Sequence, residues 1–296
     1  MDSQEAIAAI QLTAAVAVLG YASVLDLRTR RAPNALWIAL STLGVVLLPI
    51  RILVDDEPIE YAIILIPVLA ILADVFWDEG GNSGLSRFMP AAKHSVAIIA
   101  TFLLAAAWIN EAYFQPLLAV PIVMMVIVLM YMLDLIRGGA DAKALISLAV
   151  LFPVYPLIAS FPLVSADEAM QTVFPFAISV LTNAAILVAF LPLAFLVMNL
   201  LRRDLKSPQI FLGYRMDIDK VTGKHVWLME RIIEGKRVFY TRPKIEENLT
   251  EELTKLREQG VARVWITPKI PFIIPMLAGL LLTAIVGNLL FLLFGF

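Results

Sequence analysis

Val24-Leu25-Asp26-Leu27-Arg28-Thr29-Arg30-Arg31-Ala32-Pro33-Asn34 closes an apolar run that begins at Ala6. The run is long enough for a helix across a ~30 Å hydrocarbon core, which takes about 20 residues. It ends on a carboxylate followed at once by three arginines. A carboxyl group at a membrane boundary is costly to keep from water, so such a residue is a functional candidate. The opening Met1-Asp2-Ser3-Gln4-Glu5 is acidic where a cleaved signal needs a basic start. The first run therefore reads as a transmembrane helix rather than a leader.

A second carboxylate stands 115 residues downstream, in Leu135-Ile136-Arg137-Gly138-Gly139-Ala140-Asp141-Ala142-Lys143-Ala144-Leu145, between two later apolar runs. The chain as a whole is 60% hydrophobic and 16% charged, the composition of a polytopic membrane protein. It has no cysteine, which removes disulfides, thiolate metal sites and a cysteine nucleophile. With His94 and His225 as its two histidines, it has little material for a histidine metal site or a serine–histidine triad. No cofactor or metal is expected.

About eight segments are long enough to span: 6–26, 34–54, 60–77, 94–110, 116–137, 143–163, 172–201 and 271–294. Basic residues orient them. With eight alternating spans, Arg28/Arg30/Arg31, Arg87/Lys93, Arg137/Lys143 and the stretch from Arg202-Arg203 all fall on one face, which is then cytoplasmic. Of 23 Lys and Arg, Arg51 alone falls on the other face, where Asp55-Asp56-Glu57 and Asp167-Glu168 also lie. Both termini are extracytoplasmic on this reading, and Asp26 and Asp141 share the cytoplasmic boundary.

The expected fold is thus an all-α polytopic membrane protein with a small α+β cytoplasmic domain before the last helix. The membrane domain covers 1–201, the cytoplasmic domain 202–270 and the last transmembrane helix 271–296. In the cytoplasmic domain, Gln209–Met216, His225–Ile232, Arg237–Arg242 and Ala262–Thr267 read as strands, and Val221-Thr222-Gly223-Lys224 as a hairpin tip. Glu246–Gln259 has helical spacing and stops at Gly260. This region holds 15 Lys/Arg against 10 Asp/Glu, a net +5, which suits an anionic membrane surface. No nucleic-acid partner is expected.

Each aspartate has an ordinary structural reading. Were the first helix to continue to Arg31, Arg30 would lie one turn past Asp26 and could pair with it. Asp141 could be a simple N-cap. An N-cap, however, leaves the Gly138-Gly139 pair and the matching Asp26 unexplained. The pair breaks the helical register, admits unusual backbone angles and leaves no side chain to obstruct a neighbouring peptide. Two carboxyl groups within hydrogen-bond reach tend to share one proton. The charged one activates water and the protonated one polarises a carbonyl, which is aspartyl proteolysis without a metal. The start of a helix favours Asp141 as the more readily ionised partner. Asp74 and Asp134 are competing carboxylates, each with a structural alternative as an ion-pair partner.

Asp26-Leu27-Arg28-Thr29-Arg30-Arg31-Ala32-Pro33-Asn34 followed by Gly138-Gly139-Ala140-Asp141-Ala142-Lys143 resembles the type IV prepilin peptidase family, and most closely its archaeal preflagellin and prepilin peptidase branch. The second string resembles the Gly-x-Gly-Asp motif of membrane aspartyl proteases, with Ala140 in place of the second glycine. Val264–Phe272 is similar to the C-terminal part of archaeal members. The resemblance implies Asp26 and Asp141 as catalytic residues, with Arg28, Arg30, Arg31, Pro33, Asn34, Gly138, Gly139 and Lys143 as motif residues. It implies cleavage of the basic leader of pilin or archaellin precursors at the cytoplasmic face. Without cysteines, peptidase activity alone is expected, without the methylation of bacterial relatives.

Three other readings compete. A presenilin or signal-peptide-peptidase type enzyme would carry Tyr-Asp and Pro-Ala-Leu strings, and neither occurs here. An ion-coupled transporter would use the carboxylates as relays, but would place them near the midplane in two matching halves. A non-catalytic assembly protein would use the basic domain as a binding surface and would tolerate loss of both aspartates.

Overall fold

The computed structural model describes residues 2–77, 89–164, 168–241 and 248–294. In chain order the elements begin with α1 (Ser3–Thr29), α2 (Asn34–Val54), α3 (Leu65–Phe76, entered through the 3-10 turn Ile59–Ile64) and α4 (Met89–Trp108). Next come α5 (Phe114–Met132), α6 (Gly139–Leu151), α7 (Glu168–Val173), α8 (Phe176–Ala189), α9 (Leu191–Leu201) and α10 (Gln209–Leu212). The strands β1 (Tyr214–Asp217), β2 (Val226–Leu228), β3 (Glu230–Ile233) and β4 (Lys236–Phe239) follow. The chain closes with α11 (Leu249–Glu258), β5 (Arg263–Pro268), α12 (Ile273–Ile285) and α13 (Leu289–Phe294). Two compact units result: Met1–Ala185 with Pro271–Phe296, and Ile186–Ile270.

The chain is a mostly helical, multi-pass membrane protein, and among the described residues a count of eight full-length spans is not reproduced. Among the described residues five helical segments are long and apolar enough to cross a bilayer: Ser3–Thr29, Asn34–Val54, Ile59–Phe76, Phe114–Met132 and Phe176–Leu201. Ser95–Trp108 and Ile273–Ile285 are shorter apolar helices. The expected span 143–163 is helical only to Leu151. Phe152, which precedes Pro153, takes φ −118° and ψ 74°, because a proline disfavours helix in the residue before it. The expected span 172–201 is interrupted at Phe190, where Pro192 near the start of α9 has no N–H for the helical ladder. The expected last span, 271–294, is interrupted between Ile285 and Leu289, with Gly287 at φ +105°.

Interrupted helices leave backbone groups that lipid cannot satisfy. Here they are met from within the first unit. Leu163 and Val164 donate their N–H groups to Ile285 and Val286 carbonyls, each at 2.9 Å. Asn183 is fully buried; its Nδ2 donates to the Gly287 carbonyl and its Oδ1 accepts from the Leu289 N–H, both at 2.9 Å.

The first unit is organised around α2 and α6. Trp37 and Leu40 on α2 pack with Ala144, Leu145 and Leu148 on α6 in one buried core. Ser41 donates to the Ser147 hydroxyl at 2.9 Å, and Ser147 in turn donates to the Lys143 carbonyl at 2.8 Å, with the Trp37 carbonyl at 3.1 Å. Small residues let helix backbones approach closely in a membrane. At Gly44 the approach is closer than any side chain allows: a Cβ there would lie 2.7 Å from the Val150 carbonyl oxygen and 2.8 Å from the Leu151 Cα.

Contacts distinguish two ends of this unit. At one end Gln4 Nε2 and the Tyr113 hydroxyl donate to the carboxylate of Asp55, at 2.8 and 2.7 Å, beside Arg51. Tyr61, Trp108, Tyr113 and Phe114 form an aromatic cluster there. The other end collects the close of α1, the starts of α2 and α6, and Phe76 at the close of α3.

The second unit is a small α+β fold with five strands, not four. β1 and β2 both pair antiparallel with β5, in the order β1-β5-β2, with Tyr214 and Leu228 each opposite Ile266. Val221–Lys224 is therefore not the tip of a hairpin, since β5 separates the strands it joins. The hairpin is β3–β4, turned by Glu234 and Gly235, both at positive φ. Gln209–Leu212, expected as strand, is a helical turn. Leu253 and Leu256 of α11 bury against Ile218, Val226, Leu228, Val264 and Ile266. Gly260, at φ +73°, follows α11 as its stop. Glu230 is fully buried, paired with Arg237 and accepting the Trp265 N–H at 2.6 Å.

Gly44→Val should lower the unfolding free energy in detergent by about 1–3 kcal/mol, the usual cost of overpacking. A thermal melt unchanged from wild type would show that α2 and α6 do not need their close approach.

Candidate active site

Asp26 lies in the last turn of α1. The helix stops at Thr29 because Arg30 turns left-handed, at φ +57°, and its N–H returns to the Asp26 carbonyl at 3.0 Å. The helix therefore ends before Arg31. Thr29 Oγ1 donates to the Leu25 carbonyl at 2.9 Å. Pro33 is the N-cap of α2, and Asn34 is its first residue.

Asp141 is not an N-cap. Gly138 holds that position and Asp141 sits third in the helix, where a carboxylate can fold back over the helix start. It does so here: a Cβ on Gly138 would collide with Asp141 Oδ2. Gly138 has φ −88°, an angle any residue can adopt. What position 138 requires is space for the carboxylate, not an unusual backbone. Nor do the glycines break the preceding helix. That happens earlier, where α5 ends at Met132 and Asp134 takes φ +57°. Left-handed residues after a helix are commonly Gly and sometimes Asn or Asp. Asp134 thus has a structural role as a helix stop, and no continuous helix carries it toward Asp141. Asp74 is half-buried in the last turn of α3.

The two motif segments meet. Asp26, in the last turn of α1, and Asp141, in the first turn of α6, lie at this end of the first unit within electrostatic range of each other. Lys143 Nζ donates to Asn34 Oδ1 at 3.0 Å across 109 residues of sequence, and stands 5.8 Å from the Phe76 ring centroid. Arg28, Arg31 and Arg137 are exposed, and Arg30 is half-buried. Sequence reasoning did not single out Ser41 and Ser147, which hold the helices carrying Asn34 and Lys143 together. Their signal was the small-residue spacing Ser41–Gly44 facing Ala144–Ser147. His94, and Asp78 and Glu79, carboxylates that the expected topology puts on the cytoplasmic side, have side chains outside the described residues. Among the described residues, no three His, Cys, Asp or Glu side chains gather as metal ligands. Chemically, the arrangement places two carboxyl groups at one end of the first unit, with half-buried glycine backbone next to one of them.

Gly138→Ala should displace the Asp141 carboxylate and loosen the first turn of α6. The Ala142 amide, which bonds to the Gly138 carbonyl at 3.1 Å, should exchange with solvent about tenfold faster, the equivalent of ~1.4 kcal/mol. Unchanged exchange in that peptide would contradict the placement of the carboxylate over Gly138.

The chain is similar to known proteins in two comparisons. Residues 206–289 match the family described as the archaeal peptidase A24 C-terminus, type II. The chain is 26% identical over 156 residues to a preflagellin peptidase of Methanocaldococcus jannaschii, an alignment covering 51% of this chain and 63% of that protein. It is 25% identical over 169 residues to a preflagellin peptidase of Methanococcus voltae, covering 54% and 67% respectively.

Proposed function

The chain belongs to the archaeal preflagellin peptidases of the A24 family, and on that footing we propose that it is a membrane aspartyl endopeptidase with Asp26 and Asp141 as its catalytic pair. Its substrates are pilin or archaellin precursors, cut at the cytoplasmic face between the short basic leader and the hydrophobic helix. The observation that carries this reading is the meeting of two distant motif segments, with the carboxyl pair beside the Lys143–Asn34 hydrogen bond.

In the reaction the pair holds one shared proton. The ionised carboxylate takes a proton from a water whose oxygen attacks the scissile carbonyl. The protonated carboxyl gives its proton to the carbonyl oxygen as the tetrahedral intermediate forms. As the C–N bond breaks, the carboxyl that received the water proton gives it to the departing amine, and a hydroxyl of the intermediate returns its proton to the other carboxylate as the product carbonyl re-forms, which restores the pair. Because the two groups titrate as a unit, one cannot be named base and the other acid from position alone. Ion-coupled transport draws no support from this arrangement. Asp26 lies in the last turn of α1 and Asp141 in the first turn of α6, at helix ends rather than mid-helix.

We further assign the cytoplasmic face to the end of the first unit that carries Asp26 and Asp141, with both termini extracytoplasmic. The basic domain, with its net +5, docks on anionic lipid at that face rather than on the basic leader. Leader recognition falls to carboxylates such as Asp78 and Glu79. A folded protein lacking residues 205–268 should bind a leader peptide as tightly as the intact chain. A selective loss of leader binding would assign recognition to the domain instead.

The direct test is cleavage of a precursor by purified protein in lipid, comparing wild type with Asp26→Asn and Asp141→Asn at matched folding. Each variant should fall below detection. The wild-type rate should peak at intermediate pH, declining in acid as both carboxyls protonate and in base as both ionise. A variant that cleaves at the wild-type rate would remove the paired-aspartate reading.

A further inference from the structure

A third polar group lies against the start of α6, the helix that carries Asp141. Tyr131, in the last turn of α5, lies against the start of α6: its hydroxyl oxygen is 3.5 Å, and its ring carbons Cε2 and Cζ 3.9 Å, from where a Cβ on Gly139 would stand. On the preceding residue, Gly138, the equivalent space holds Asp141 Oδ2. The glycine pair is thus flanked by the Asp141 carboxylate and by a phenol. The tyrosine is 46% exposed, and among the described residues its hydroxyl has no hydrogen-bond partner. The neighbouring N–H groups of Gly139 and Ala140 open the helix and have no carbonyl within it to bond. A peptide laid across this half-buried backbone would meet donors from two elements, the Tyr131 hydroxyl and the amides that open α6.

We propose that Tyr131 is a substrate-binding residue of the carboxyl-pair site, its hydroxyl donating to a backbone carbonyl of the peptide laid across Gly138–Gly139. This rests on the peptidase reading above. A backbone carbonyl is common to every peptide, so the contact holds the chain in register without selecting a sequence. It is made to bound substrate and transition state alike, so its loss raises KM and leaves kcat in place. An interfacial anchor, the ordinary role of a tyrosine at a membrane boundary, depends on the ring as much as the hydroxyl. Phenylalanine at this position separates the two roles, because it keeps the ring and removes only the donor.

The experiment measures kcat and KM for cleavage of an archaellin precursor peptide containing the leader and the first mature residues. It compares wild type with Tyr131→Phe in lipid nanodiscs, with Asp141→Asn as the inactive control. Loss of one neutral hydrogen bond should raise KM about two- to tenfold, with kcat within twofold. In an Asp26→Asn background, which binds without turnover, Tyr131→Phe should weaken peptide binding by the same factor. If wild type cleaves, Asp141→Asn does not, and Tyr131→Phe matches wild type in KM and in binding, the inference fails while the peptidase reading stands. A fall in kcat at unchanged KM also overturns it as stated. If wild type cleaves no precursor, the peptidase reading fails and this assignment falls with it.

Discussion

The close packing of α2 on α6 is the contact on which the rest of the site depends. Gly44 brings the α2 backbone against Val150 and Leu151 at one level, and Ser41 reaches Ser147 at another. Nearer the helix starts, Lys143 closes on Asn34. Each contact fixes α6 along α2, and α6 carries Asp141 in its first turn. The short connection through Arg30 and Pro33 ties α2 to the end of α1, where Asp26 sits. Two carboxylates far apart in sequence are therefore held by one helix pair and one tight turn.

A membrane adds a second constraint, since an unpaired backbone group has no water to turn to. The first unit nevertheless contains an irregular stretch after Leu151 and an interruption near Gly287. It tolerates both because each supplies partners for the other: Leu163 and Val164 bond to Ile285 and Val286, and Asn183 bonds to the groups on either side. These polar contacts lie with the aromatic and Asp55 cluster, apart from the carboxyl pair. The end with the two carboxyl groups is held by α2 and α6, and it leaves a tyrosine side chain exposed beside the half-buried glycines.

How much of this was legible depends on the residue. The helix Asn34–Val54 could be read to its ends, because proline precedes it and acidic residues follow it. The helix from Gly139 was overrun: hydropathy continues past Leu151, but Pro153, Pro156 and Pro162 supply no N–H for a helix, and the apolar character belongs to a folded-back segment. In the small unit, Glu234-Gly235 is a compact hairpin turn, but the strand after it begins Lys236-Arg237 and so lacks an apolar signal. Long-range pairing also placed β5 between β1 and β2, which no local pattern encodes. At the candidate site, Asp26, Gly138 and Asp141 stand out in the sequence by their motifs. The function of Gly138 was not legible, because it depends on where the Asp141 side chain lies rather than on the backbone angle. Ser41 and Ser147 look like ordinary small residues of apolar helices until their helices meet.

The claim at the centre of this account is that Asp26 and Asp141 form one site. The chain has no cysteine, so thiols can be placed at will. The most direct measurement is cross-linking of an Asp26→Cys, Asp141→Cys variant in membranes with a short bifunctional thiol reagent, read by mass spectrometry. An Asp26→Cys, Asp55→Cys variant, whose sites lie at opposite ends of the first unit, serves as the comparison. The account predicts rapid cross-linking of the first pair and none of the second. Labelling of both thiols at 26 and 141 without any cross-link would contradict it.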